Sequence, residues 1–400
     1  MVMHQGVRGV VVAVALFCSR VAVAEPEEPK PPDAPDAAPA TSPPPAAEAT
    51  KPPSTPPEPA KDAGFSWEPF GYLRLQYIIV QNDPNVQFVG RDDGFELQNA
   101  RVGVRGTYRD RMKFVVAFDG AVDERAQINT PEGKLRVGLR DAYLDTKLGG
   151  DIAARGGFFE TLLDPDALEE ATLRDFVDRP IETRGMRATE GYEVSGLPPG
   201  RSLGGAVRLE PGEIATGAKV GFEIAVQNGA DEYASNNDND KPAISAAVVA
   251  RLPRHSWVVA GGRYNPRTVG NLPFRQDEDD LQGTASGRID VGPVIVGGAV
   301  FVQRTSFPTT GGPVQNAFGG HGQLLVKISG ALPLAVGYRF GILDPSSLIL
   351  TDRVIEHTAG MTLGVPAYRM RVQLQLTHVV EQSSRALSND RAQVAAEVAL

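Results

Sequence analysis

The most distinctive chemistry in this 400-residue chain belongs to arginines that alternate with apolar residues in short segments. A guanidinium group stays charged and presents a planar fork of donors that suits phosphate or carboxylate oxygens. The arginines in this pattern are Arg74, Arg101, Arg105, Arg155, Arg263, Arg288, Arg339 and Arg371. Three more, Arg174, Arg179 and Arg184, lie in a long connection between two such segments. This spacing predicts sites that contact small anions.

Side chains that could form a catalytic or metal centre are few and scattered. Cys18 is the single cysteine and precedes a predicted cleavage site, so the mature chain has no thiol for a disulfide, a metal or a nucleophile. The remaining histidines lack metal-ligand spacing and are predicted to be polar rim or lumen residues: His255, His321, His357 and His378. No nucleophile elbow is predicted, because the G-x-S-x-G match at Gly200–Gly204 leads into a predicted strand rather than a helix, although a hydrolytic barrel stays a third alternative. We predict no enzyme activity, no cofactor and no metal site.

The segments that carry the arginines alternate apolar and polar residues with a period of two. This period places successive side chains on opposite faces of a β-strand, as Val394, Ala396 and Val398 illustrate. Sixteen such segments run from Phe70 to Leu400, and no other element is left to cover their apolar face. Lipid is therefore the predicted cover, and the predicted fold is an all-β, 16-stranded antiparallel transmembrane β-barrel. A stack of soluble β-sandwiches is the alternative.

The connections between the segments are alternately long and tight. This predicts a barrel with long loops at one end and both termini at the other, periplasmic end. The sixth strand is either Arg187–Ser195 or Leu203–Leu209. A change of phase in the fourth segment predicts a β-bulge near Arg140. The longest link runs from Glu160 to Pro180 or beyond, and another long link runs from Asn265 to Asp280.

The phase of each strand separates its two faces. Leu73, Leu75 and Tyr77 are predicted to point outward, which leaves Arg74 inside. A cation at mid-depth on the lipid face costs ~2–4 kcal/mol, so the strand arginines are predicted to face the lumen. Residues 64–400 carry 35 Lys and Arg against 41 Asp and Glu, a net charge of −6, but many acids lie in predicted loops. The wall therefore leans basic, which predicts anion preference. The alternative is that arginine–acid pairs merely brace the wall.

The chain before the barrel has two predicted parts. Arg8, the apolar run Val10–Phe17 and the sequence Ala22-Val23-Ala24 predict a signal peptide over residues 1–24. Residues 25–63 are rich in Pro and Ala, which predicts a disordered tether. The barrel domain is then 64–400. The formal charge of −9 without a basic block argues against nucleic-acid binding.

Four segments resemble the phosphate-selective porin O/P family of outer-membrane proteins: Asn99–Gly106, Met112–Asp119, Leu139–Asp145 and Ala225–Gly229. The resemblance implies a bacterial outer-membrane location, a homotrimer embedded in lipid and a water-filled lumen with an inward-folded third loop. It also implies a constriction at that loop, with Arg174, Arg179 and Arg184 as contacts and a short helix within Asp166–Asp178.

The lysine content departs from that family, because residues 64–400 hold six Lys against 29 Arg. The family would also favour an aromatic residue at the C-terminus, where this chain has Leu400. The expected function is therefore a porin for small solutes that leans toward anions, phosphate or others. A structural or adhesive barrel with a plugged lumen is the alternative.

Overall fold

The structure is a computed structural model that describes residues 64–400, with short gaps. The gaps are 91–92, 110, 121–136, 169–171, 173, 188–189, 192, 210, 212–215, 230–235, 271–272, 309, 331 and 383–385, together with the side chain of residue 166. The predicted signal peptide and tether lie outside the described residues, so both stay predictions.

Sixteen antiparallel strands close into one barrel, in which each strand pairs with its sequence neighbours and the first pairs with the last. They are β1 (Phe65–Val80), β2 (Gly94–Tyr108), β3 (Met112–Asp119), β4 (Gly138–Gly149), β5 (Ile152–Glu160), β6 (Arg201–Leu209), β7 (Lys219–Asn228), β8 (Pro242–Leu252), β9 (Ser256–Val269), β10 (Gln276–Val291), β11 (Val294–Ser306), β12 (Gln315–Ile328), β13 (Leu334–Asp344), β14 (Val354–Val365), β15 (Met370–Glu381) and β16 (Arg391–Ala399). The predicted fold class is confirmed. In the described part of the chain no helix is long and apolar enough to cross a membrane.

Alternating burial along β1 shows how the sequence specifies the two faces of the wall. Tyr72, Arg74 and Gln76 are almost fully buried, whereas Leu73 and Leu75 between them are 51% and 43% exposed. Polar side chains thus point into the barrel and apolar ones point out, the reverse of a soluble protein.

The sixth strand is β6, the second of the two predicted alternatives. Among the described residues of the first alternative, Val194 forms an isolated bridge with Met186, within the long connection 161–200. The predicted loop from Asn265 to Asp280 shrinks to residues 270–275. Its acids instead extend the β9–β10 ladder, because Arg267 binds Glu278 and Asp280 at 3.0 Å.

Two strands carry bulges. In β4, Leu139 pairs with Phe118 and Asp141 with Ala117, which leaves Arg140 as the extra residue. The predicted bulge is therefore confirmed. Two further register shifts were not predicted: one in β4 leaves Leu148 unpaired with β5, and one in β2 leaves Gln98 unpaired with β1. The Gln98 side chain donates to the Val177 carbonyl at 3.2 Å, inside the barrel.

The connection 161–200, the third long loop, folds into the barrel and packs on its inner wall. Its first residues, Leu162, Leu163 and Leu168, pack on β8 and β9 around Trp257. Phe176 lies between Ile295 and Leu325. Further along the loop, Ile181, Met186 and Leu197 pack against the inner faces of β11 and β13. These apolar stretches of the inner wall are covered by loop residues.

The predicted helix within residues 166–178 is not seen in the described part of that stretch. A 3₁₀ turn covers Pro165–Ala167, and the α-helical turn, α1, comes later at Ile181–Arg184. Pro180 precedes α1, and proline is tolerated at a helix start but not within a helix. Contacts with the wall, rather than helix propensity, set the path of the loop.

Candidate functional site

A cavity of ≈ 470 Å³ lies beside the third loop. The inner faces of β1–β6 form one side, and loop residues from Ala167 to Arg174 form the other. Six arginines line it: Arg101, Arg105, Arg140, Arg155, Arg174 and Arg201. Its acidic lining residues are Asp141 and Glu160. We call this space the arginine cavity.

Aromatic rings and wall acids fix the guanidinium groups of the arginine cavity. The Arg155 guanidinium lies 3.8 Å from the Tyr143 ring centroid and donates to Asp145 at 2.7 Å. Arg101 lies 5.0 Å from the Tyr72 ring and 3.4 Å from Asp119. Cation–π contacts and charge-assisted hydrogen bonds of this kind restrict rotation of the side chain. The cavity therefore presents oriented cations rather than mobile ones.

Arg201 and Arg105 illustrate the two ends of the burial range in the arginine cavity. Arg201 is 5% exposed and binds both Asp141, at 3.0 Å, and Glu160, at 2.7 Å. The Arg105 side chain is 50% exposed and pairs with Glu68, which is 62% exposed. Exposed pairs of this kind contribute only about 0–1 kcal/mol, so Arg105 can exchange Glu68 for another anion at little cost.

A second, smaller cavity of ≈ 70 Å³ lies between the loop tip and β9–β13. Arg339 lines it, donates to the carbonyls of Asp178 (3.0 Å) and Arg179 (3.3 Å), and stacks 4.6 Å from the Phe176 ring. Arg288 also lines this cavity and binds Asp175. These wall arginines hold the loop by its backbone and by one carboxylate.

All eight arginines that were predicted to face the lumen lie on the inner face, as the phase of the strands predicts. Three line the arginine cavity (Arg101, Arg105 and Arg155), and Arg288 and Arg339 line the smaller one. Arg371 donates to the Arg174 carbonyl at 2.6 Å. Arg74 is fully buried against Glu397, and Arg263 is 8% exposed on β9. Whether they contact a solute stays a prediction.

Arg184, which was predicted as a contact in the constriction, lies away from both cavities. Its side chain is 2% exposed and binds Glu190 and Glu356, each at 2.7 Å. Arg391 of β16 binds the same two carboxylates at 3.0 and 2.6 Å. We call these four residues the buried clamp. The clamp ties the third loop to β14 and β16, so Arg184 positions the loop and does not line either cavity.

The protonation states of the clamp follow from its geometry. Burial raises the pKa of Glu190, but Arg184, Arg391 and Arg187 outweigh this and lower it from 4.5 to about 2. Burial lowers the pKa of Arg184, but Glu190 and Glu356 raise it well above its usual value. Both groups therefore stay charged at neutral pH.

Of the other predicted contacts, Arg174 lines both cavities and Arg179 lines the smaller one. Sequence reasoning missed Arg140, Arg201 and the rings of Tyr72 and Tyr143. The sequence does show one usable signal, which is Arg201 at the start of β6. The alternating pattern does not identify it, because strand ends are the boundaries that this pattern defines least well.

The four histidines occupy three different surfaces. His321 faces inward and contacts Glu182 of α1, whereas His255 lies in a tight turn. His357 and His378 lie on the outer wall, 6.3 Å apart, each three residues from the end of its strand, β14 or β15. Among the described residues no group of three or more His, Cys, Asp or Glu could hold a metal ion.

No protein-family model matches the chain, and no curated protein matches it significantly. Solved structures do match. An anion-selective porin from Comamonas acidovorans superposes with a TM-score of 0.61 at 13% identity, covering 84% of this chain and 100% of that one. The DcaP outer-membrane channel of Acinetobacter baumannii gives 0.56 at 11% identity, covering 85% and 98%. Outer-membrane protein OmpT of Vibrio cholerae, in its trimer form, gives 0.55 at 13%, covering 84% and 100%. At these identities the likeness concerns the fold.

Proposed function

We propose that the chain forms an outer-membrane pore through which small solutes diffuse, with a preference for anions. The observation that carries this proposal is the arginine cavity, in which six arginines and two acids line one side of the third loop. Rings of charge can select ions while binding them weakly enough to release them. The path runs along β1–β6, the part of the inner wall with the arginine lining.

The structural neighbours support the same function. One is described as an anion-selective porin and another as an outer-membrane channel. A third is described as a trimer, and we propose a homotrimer for this chain as well. The cavity chemistry suits carboxylate and phosphate oxygens alike, so the permeant is a small anion of either class.

A structural barrel with a plugged lumen is the second candidate. The observation in its favour is the packing of the third loop, where Leu162, Leu163 and Ile181 are at most 1% exposed against the wall. Single-channel recording in planar bilayers separates the two candidates. Open steps with an anion-biased reversal potential support the pore, whereas silence from correctly folded protein supports the plug.

Removing two charges from the arginine cavity should weaken anion selectivity. The variant is Arg105→Gln with Arg174→Gln, since these cations line the cavity and are its natural contacts for a passing ion. A unit charge in contact with an ion contributes ~1 kcal/mol even in water, so the anion-to-cation permeability ratio should fall by about fivefold or more. Reversal potential under a salt gradient measures it.

The matched control is Arg304→Gln, which removes an exposed arginine from the outward side of β11. It should leave the permeability ratio at the wild-type value. An unchanged ratio in the double variant would place the selective zone elsewhere in the lumen.

Acid should loosen the third loop in a defined pH window. Because the pKa of Glu190 is lower in the folded loop than in a released one, its contribution is complete above pH 4.5 and is lost as the pH falls toward 2. Conductance should therefore be steady from neutral pH down to about 4.5 and rise below it. A rise that is already complete above pH 4.5 would show that a group other than Glu190 holds the loop.

A further inference from the structure

The tight turns at one end of the barrel share an unusual backbone feature. In the described part of the chain, the non-glycine residues with positive φ are Arg109 (49°), Arg254 (61°), His255 (58°) and Arg369 (48°). All four lie in turns that follow even-numbered strands, which places them at the end that also holds both barrel termini. Every one of these residues is basic in type.

Backbone geometry alone does not explain these residue types. Glycine adopts positive φ without strain, and asparagine tolerates it better than arginine does. Arg109, Arg254 and Arg369 are nevertheless all exposed, so their side chains are not retained by burial. Strained positions that recur at one surface point to a role for the side chain.

The two ends of the barrel differ in charge. The described residues of the tight turns include the cations Arg109, Arg111, Arg254 and Arg369 against one acid, Asp151. The described residues of the long connections at the opposite end, apart from the inward-folded loop, hold six acids (Asp83, Asp93, Asp238, Asp240, Asp352 and Asp390). They hold three cations: Lys241, Arg275 and Arg353. Among the described residues, cations therefore exceed acids in the tight turns and acids exceed cations in the long connections, while the sequence of the tight turns also contains Asp110, Glu210 and Glu213.

Aromatic side chains stand beside the turn arginines. Tyr108 precedes Arg109 and is 41% exposed on the outer wall, with the Arg109 guanidinium 5.1 Å from its ring. Tyr368 precedes Arg369 and is 72% exposed. Trp67, 60% exposed, lies on the outward face of β1 at the same end. Tyr and Trp favour the boundary between hydrocarbon and headgroups.

We propose that Arg109, Arg254 and Arg369, which we call the basic rim, bind the phosphate groups of anionic phospholipids. The rings of Tyr108 and Tyr368 mark the hydrocarbon boundary, the guanidinium groups of Arg109 and Arg369 lie one residue beyond it, and Arg254 lies in a turn at the same end. A soluble acidic polymer would not require the neighbouring rings on the outer wall. The proposal rests on the proposed membrane location, and it assigns the rim to the lipid leaflet at the end that holds both termini.

The test compares retention of phosphatidylglycerol and phosphatidylcholine by the purified full chain, using native mass spectrometry. The variant is Arg109→Gly, Arg254→Gly and Arg369→Gly together. Each basic residue near an anionic lipid surface contributes about 1 kcal/mol, so apparent affinity for phosphatidylglycerol should fall roughly fivefold per arginine removed. Affinity for phosphatidylcholine should stay unchanged.

The same substitutions separate binding from folding, because glycine relieves the positive φ at each site. In neutral detergent the triple variant should therefore unfold at a temperature equal to or above that of the wild type. The matched control replaces three cations at the other end, Lys241→Gly, Arg275→Gly and Arg353→Gly, and should retain phosphatidylglycerol normally.

Four results would overturn the proposal. The first is wild-type retention of phosphatidylglycerol by the triple variant, and the second is lost retention together with a lower unfolding temperature. The third is an unfolding temperature of the wild type that inorganic phosphate raises as much as phosphatidylglycerol does, which would define a free-anion site. The fourth is binding to purified cell wall that the variant loses while lipid retention persists. Single-channel conductance in planar bilayers tests the pore separately. A barrel that conducts normally but gives any of these four results rejects only the basic rim.

Discussion

Replacing Arg184 with methionine is expected to release the third loop from the wall and raise channel conductance. The substitution keeps an unbranched apolar stem but leaves Glu190 and Glu356 with one clamp ion-pair partner, Arg391, in place of two. Removing one partner from a buried ion-pair group costs ~3–5 kcal/mol, because a charge is left without compensation. At the lower figure, the ratio of docked to released loop falls by about 100-fold.

Two measurements report the release. Proteolysis of the reconstituted barrel should cut within residues 161–200 faster in the variant, and single-channel conductance should increase. Adding Glu190→Gln to Arg184→Met should restore part of the docking, since it removes one unpaired carboxylate.

The matched control for this prediction is Arg353→Met. Arg353 binds Asp344 at 2.8 Å but is 41% exposed, and pairs of that kind contribute about 0–1 kcal/mol. Conductance and proteolysis should match the wild type. If Arg184→Met also behaves as the wild type, the apolar contacts of Ile181 and Leu197 hold the loop without the clamp.

Placing a valine at Gly319 should displace α1 from the inner wall by steric conflict. A Cβ at this position would lie 2.5 Å from the Glu182 Cβ and 3.1 Å from the Leu197 Cδ1. Overpacking at such sites costs ~1–3 kcal/mol, and here the cost falls on the contact between loop and wall. The variant should pass larger neutral polymers than the wild type in size-exclusion measurements of single-channel current.

Gly322 provides the control on the same strand. A Cβ at Gly322 meets no atom within 4 Å, so Gly322→Val should leave both folding and the polymer size limit unchanged. A smaller size limit in Gly319→Val would mean that the added methyl groups narrow the path without moving α1.

Acidification and Arg184→Met act on the same clamp, so their effects should not add. The variant should already be open at neutral pH and show a weaker rise in conductance below pH 4.5. Gly319→Val acts at a different contact and should keep the full acid response.

The sequence by itself determined the number of strands, their inward and outward faces and the bulge at Arg140. These features follow from local rules, because a period of two assigns each side chain to a face and a cation is costly in lipid. The same rules placed eight strand arginines inside. They failed at strand ends, as in β9 and β10, where ion pairs between strands extend the ladder past the apolar pattern.

Only the tertiary structure decided which arginines line a cavity and which hold the third loop. Arg184 and Glu356 are 172 residues apart and meet because the barrel closes, a contact that no local pattern encodes. The path of the loop and the contact between Gln98 and Val177 likewise depend on that closure. Alternation along a strand fixes the direction of a side chain, whereas its partner depends on how the whole sheet curves around the loop.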